Sequence, residues 1–118
     1  LIAINDLAAD GRDISWLWDV DFEILIENRN EIKTVICSGL RAEDMALRLK
    51  YAGFNEEQLV IENGLKEAVS LLESREILPD ESVFILPTYT ALFPMREILA
   101  GKKGGPNPGL NRTKVGSV

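Results

Sequence analysis

Carboxylates dominate the chemistry this sequence offers, and they are densest at residues 10–23, DGRDISWLWDVDFE, where five of the nineteen acidic residues and both tryptophans fall within fourteen positions. Acids gathered in this way can bind Mg²⁺, orient a base, or hold and polarise a histidine. The apolar residues Trp16, Trp18, Val20 and Phe22 recur at every second position, with Asp19, Asp21 and Glu23 between them. An extended segment of that period buries its rings on one side and presents its carboxylates on the other. The stretch therefore reads as a strand that holds acids at a surface. The plain structural alternative is a half-buried strand whose acidic face only keeps it in solution. A metal asks for carboxylates converging from different elements, and acids close in sequence do not establish convergence.

What is missing bounds the rest of the chemistry. There is no histidine and a single cysteine, Cys37, so the sequence completes neither an internal disulfide nor a Ser/His/Asp or Cys/His constellation. An acid here can instead hold and polarise a histidine supplied by another chain. Cys37-Ser38-Gly39 ahead of a helix has one glycine where a dinucleotide fingerprint needs three, and it lacks the Gly-Lys-Ser/Thr of a P-loop. Cys37 then reads as a small core residue. Arg41, at the helix start, reads as a contact for an anionic ligand held by backbone amides or as a surface arginine. Residues 86–90, LPTYT, bring two hydroxyls and a phenol to the end of a strand, the same end of a parallel sheet as the acidic loop 6–13. The two segments are placed to line one site. Alternatively Thr88 or Thr90 caps the following helix and Tyr89 packs against the sheet.

The elements that must position these groups alternate in type. Residues 1–4 make a short buried strand that opens into the loop 6–13, and residues 22–28 suit a brief helix or a strand. Residues 34–37 make a second strand. Residues 41–52 make a helix with Met45, Leu49 and Ala52 on one face and Gly53 as its terminator. A third strand at 59–61 leads to a helix at 65–74 that Asn63 can cap. A fourth strand at 82–86 precedes a last helix ending near residue 100. The pattern predicts an α/β fold: three layers, with a mostly parallel sheet covered by helices on both faces and right-handed crossovers.

Length and composition describe one folded domain at 1–100, with 46% hydrophobic and 27% charged residues over the whole chain of 118, and a flexible tail at 101–118. The net charge of −6 conceals a tail with four basic and no acidic side chains, so residues 1–100 carry −10. Such a body disfavours binding to nucleic acid phosphates. No apolar run approaches the roughly 20 residues that span a bilayer, and a soluble cytoplasmic protein is expected, in a domain cut from a longer chain.

Three motifs, DGRDISWLWDVDFE, SGLRAEDMALRLKYAG and LPTYTAL, occur in that order, and with them residues 1–99 resemble the C-terminal domain of the MurT family, the Mur-ligase-like subunit of lipid II isoglutaminyl synthase. The resemblance implies a Rossmann-like domain of a bacterial carbon-nitrogen ligase complex of peptidoglycan synthesis. It implies a partner, the glutamine amidotransferase subunit GatD, which releases ammonia from glutamine with a Cys and a His. ATP then activates the α-carboxyl of D-glutamate in lipid II, at the inner face of the membrane, for conversion to D-isoglutamine. ATP, Mg²⁺ and, in many relatives, zinc are implied for the full-length protein, outside this domain. The domain alone is expected to hold none of them and to be inactive. The family's interface aspartate, thought to complete the partner's triad, maps within residues 10–23. It is assigned here to Asp19, with Asp21, Asp13 and Asp10 as alternatives. Asp6, Arg12, Trp16, Trp18, Arg41, Thr88 and Tyr89 are the expected substrate or interface contacts. Asn5-Asp6 stand where other Mur ligases carry an Asp-Tyr-Ala-His-Asn-Pro loop, whose Tyr, His, Asn and Pro are absent here. The rival readings are a noncatalytic docking module and an acidic Mg²⁺ site.

Overall fold

A computed structural model describes residues 1–28, 30–102 and 114–116. Its sheet has strands β1 (Ile2–Ala3), β2 (Val35–Ser38), β3 (Leu59–Ile61), β4 (Phe84–Pro87) and β5 (Lys114–Val115). They lie in the order β3-β2-β1-β4-β5, and each neighbouring pair is parallel. Helices α1 (Ala42–Ala52), α2 (Leu65–Glu73) and α3 (Tyr89–Lys102) supply the outer layers, with 3-10 helices at Ser15–Trp18, Phe22–Asn28 and Glu56–Gln58.

The strands are apolar on both sides, and that creates the two cores. Ile2, Ile4, Val35 and Cys37 pack with Leu17, Phe22, Met45 and Leu49, so α1 and the segment after β1 cover one face. Ala3, Ile36 and Ile85 point the other way, toward Val69, Leu72, Ala91 and Met95 of α2 and α3. Alternation within β1 and β2 thus divides the same strands between two apolar layers, as a parallel sheet buried on both faces requires. The α/β architecture expected from the sequence is the one observed. Helix α1 ends at Gly53, whose φ of 119° is left-handed and whose N–H meets the carbonyls of Leu49 and Lys50. A residue with a side chain resists that conformation.

Several local expectations are corrected. The tryptophan segment is not a strand. Two 3-10 helices flank residues 19–21, and the segment lies against α1 instead of pairing at a sheet edge. Its carbonyls find side-chain donors there, so no strand ladder is needed to satisfy them. Asn63 does not cap α2: Gly64 is the N-cap, and the Asn63 amide instead donates to the carbonyl of Gly39 and to Glu43. The fourth strand begins at Phe84 and α3 runs on to Lys102. Of the tail expected to be flexible, residues 103–113 and 117–118 lie outside the described residues, while Lys114–Val115 pair with Phe84 and Ile85 as β5.

Candidate functional site

At the carboxyl end of the sheet, β1 runs out between the loops that follow β2 and β4, the position where open parallel sheets change direction. Asn5 fills that position. Its backbone N–H donates to Thr88 Oγ1 at 2.9 Å, its amide donates to Thr90 Oγ1 at 3.1 Å, and its Oδ1 accepts the N–H of Leu40 at 3.0 Å. Asp10 returns to the same place. Its Oδ1 accepts the Thr90 N–H at 2.7 Å, its Oδ2 accepts the Thr90 hydroxyl, and Oδ2 also lies 3.2 Å from the donating N–H of Leu7. Asp10 is thus tied into three bonds of its own chain, because α3 begins with orphan N–H groups that a carboxylate satisfies well.

Arg41 stands at the rim of this cluster, with Nε 3.1 Å from Asp44 and 3.8 Å from Asp6, in neither case aligned as a hydrogen bond. Thr88 is buried under Asn5, whereas Tyr89 is exposed and meets Phe93 edge-on at 6.2 Å. The sheet end therefore unites Asp6, Asp10, Arg41 and Thr88 but leaves Tyr89 on the outer surface. Capping of α3 comes from Asp10 across the sheet end and not from Thr90's own hydroxyl.

The second cluster gathers around the tryptophans. Asp13 is exposed and accepts the Ser15 N–H at 2.8 Å, a bond that starts the 3-10 helix Ser15–Trp18 and holds the Asp13 carboxyl below the usual range. Arg12 is exposed beside it. Within the turn, Leu17 is fully buried, Trp16 packs partly against the core, and Trp18 is 50% exposed with its ring edge-on to Tyr51 at 5.5 Å. The alternation predicts a buried ring at this position, but Trp18 is half-exposed and does not anchor the turn.

The anchor is Arg48. Only 3% of it is exposed, and its Nε donates to the Leu17 carbonyl at 2.7 Å while Nη2 donates to the Val20 carbonyl at 2.7 Å. Both Nη groups reach the two oxygens of Glu23 at 2.8 Å. The guanidinium also stands 5.4 Å from the Trp18 ring centre and 5.3 Å from that of Phe22. This bidentate pair draws the Glu23 carboxyl down to about 2.

Asp19 caps the carboxyl end of the turn, with its N–H donating to the Trp16 carbonyl at 3.0 Å. Its side chain is exposed, and among the described residues it makes no hydrogen bond or ion pair. Asp21, also exposed, lies within electrostatic reach of Arg48. Among the described residues no three acidic or cysteine side chains group closely enough to hold a metal ion. No helix among them is long and apolar enough to cross a membrane.

Asn5, Glu23 and Arg48 were missed by reasoning from sequence. A signal for Arg48 existed: it falls between Met45 and Leu49 on the apolar stripe of α1, where a cation persists only with buried partners.

The family model described as MurT ligase C-terminal matches residues 1–92. In Staphylococcus aureus (strain COL), the lipid II isoglutaminyl synthase (glutamine-hydrolyzing) subunit MurT is 38% identical over 99 residues, which cover 84% of this chain and 21% of that protein. The subunit of the same name in Streptococcus pneumoniae (strain ATCC BAA-255 / R6) is 31% identical over 102 residues, 86% of this chain and 22% of that protein. The chain thus spans about a fifth of the length of the curated relatives it matches.

Proposed function

This chain belongs to the MurT ligase C-terminal family, and from that membership we propose that it is the part of a lipid II isoglutaminyl synthase subunit that docks a GatD-type glutamine amidotransferase and lends it a carboxylate. The observation that carries this reading is the contrast among the acids. Asp10 and Asp13 are engaged in bonds within the chain, and Asp21 lies in the electrostatic field of Arg48. Asp19 is held by its backbone while its carboxylate faces outward.

Such an acid has a defined task. In a nucleophile–histidine–acid triad the carboxylate accepts the hydrogen bond of one ring nitrogen, fixes the tautomer, and stabilises the imidazolium formed when the other nitrogen takes the nucleophile's proton. These 118 residues hold no histidine, and in this reading the ring is the partner's, together with the cysteine that attacks the glutamine amide. Ammonia released there reaches the α-carboxyl of D-glutamate in lipid II, at the cytoplasmic face of the membrane, after activation by ATP. The half-exposed Trp18, with the exposed Tyr51 and Leu47, provides apolar surface beside the acid for the partner to cover.

The groups that the family implies elsewhere do not fit this chain. It has no Gly-Lys-Ser/Thr loop for ATP and Mg²⁺, and its one cysteine is buried inside β2, where a single thiol makes no zinc site. In this reading the domain needs the rest of its subunit and the amidotransferase for activity.

The test is Asp19→Asn in the full-length subunit with its amidotransferase. The expected outcome is unaltered complex formation with glutaminase kcat lowered by about 10³–10⁴-fold, the scale on which triads lose activity when the acid becomes an amide. Unchanged activity reduces the domain to a docking module.

A further inference from the structure

We propose that Arg48 is a positioning residue for the Asp19 carboxylate, an assignment that rests on the role of Asp19 just given. Arg48 bonds the carbonyl two residues before Asp19 and the carbonyl one residue after it, each at 2.7 Å. Between those two points the chain cannot swing as a loop, because one planar guanidinium fixes both ends. The Asp19 N–H adds a third constraint by donating to Trp16. The guanidinium is in turn held in plane by the bidentate contact with Glu23 and lies against the rings of Trp18 and Phe22.

A buried arginine is an expensive way to fill space on α1. A leucine on the same stripe, beside Met45 and Leu49, would pack there without the cost of desolvating a cation. What the arginine adds is geometry: donors fanned in one plane that reach two carbonyls and a carboxylate together. A lysine carries its donors on one atom and cannot span the three acceptors. Displacement of a reacting group by about 1 Å is enough to cost on the order of 100-fold in rate.

The proposal is tested by glutaminase kinetics of the full-length subunit with its amidotransferase, comparing Arg48→Lys, Asp19→Asn and the double substitution. Arg48→Lys is expected to lower kcat by about 10–100-fold with the KM for glutamine and complex formation held within about twofold. In the Asp19→Asn background the same substitution is expected to cost less than about twofold, since its effect passes through the carboxylate already removed. An equal loss in both backgrounds, or no loss in kcat, overturns the positioning role. A harmless Asp19→Asn overturns the triad reading itself, so the two failures are told apart.

Should Arg48→Lys not fold, Glu23→Gln decides the question. Its side chain is 53% exposed, and the change frees one side of the guanidinium without emptying the core. A fall in kcat that disappears in the Asp19→Asn background supports the assignment. A fall that persists there, or no fall, overturns it.

Discussion

Asp10 and Thr90 are eighty residues apart and joined twice, the carboxylate of one accepting both the backbone N–H and the hydroxyl of the other. The pair ties the loop that leads to the tryptophans onto the first turn of α3, and so links the end of β1 to the end of β4 through side chains as well as through the sheet. Asp10 acts as an N-cap supplied from outside the helix, in the field of the helix dipole.

Asp10→Ala should accordingly lower stability by about 1–2 kcal/mol, a fall in Tm of roughly 4–12 °C by calorimetry. Asp19→Asn, which removes no bond seen among the described residues, should leave Tm within about 1 °C. A melting temperature insensitive to Asp10 would mean that the loop is held by its apolar contacts alone.

Gly39 and Gly11 share a φ of 86°, yet their surroundings differ. A Cβ on Gly39 would lie 2.5 Å from the Ile4 carbonyl and 2.9 Å from Asn5 Oδ1, both fixed in the sheet end, whereas a Cβ on Gly11 meets nothing within 4 Å. Gly11→Ala should cost only the left-handed backbone, about 1 kcal/mol. Gly39→Ala should add the clash and exceed about 3 kcal/mol, since either Asn5 or the β2–α1 turn must move. Equal urea midpoints for the two variants would contradict this crowding.

The strands and helices were readable because each obeys a local rule. Runs such as Val35-Ile36-Cys37 are apolar on both sides because both sheet faces are covered, and α1 and α2 carry continuous stripes ending in Gly53 and Ser74. The tryptophan segment was misread because its alternation satisfies a strand, while the decision between strand and 3-10 turn rests with Arg48, far along the chain. Two carbonyls captured by a guanidinium need no neighbouring strand. The sheet end was half readable: sharing of one end by the acidic loop and LPTYT follows from parallel topology, but that Asn5 knits Leu40 to Thr88 and Thr90 is a matter of register. Nothing local distinguishes Asp10, spent inside the fold, from Asp19, left facing outward.

The Arg48–Glu23 pair makes stability depend on acid in a defined direction. Glu23 is drawn from its usual 4.5 to about 2 by its hydrogen bonds with Arg48, and Asp21 is the other acid that faces the pair. A carboxyl whose folded value is depressed contributes stability that is complete above about 4.5, declines as pH falls, and is gone near 2. Tm measured between pH 5 and about 2.5 should drop more steeply in the native protein than in Glu23→Gln, with the two curves converging at the acid end. Parallel curves would show that the exposed side of this pair is too well screened to matter.

Cys37 offers the converse sign. It is fully buried in β2, and burial pushes its thiol from 9.0 up to about 12. The folded state therefore keeps the proton that the unfolded chain releases, and the stability this provides is present below about 9 and lost as pH rises toward 12. At pH 8 the native thiol has almost no thiolate and no path to reagent, so iodoacetamide should label it only through opening of the fold. Labelling in guanidinium should be rapid, and the ratio of the two rates reports the opening free energy around β2. Native labelling as fast as in the denatured chain would place Cys37 at the surface and undo the two-sided sheet on which both clusters are built.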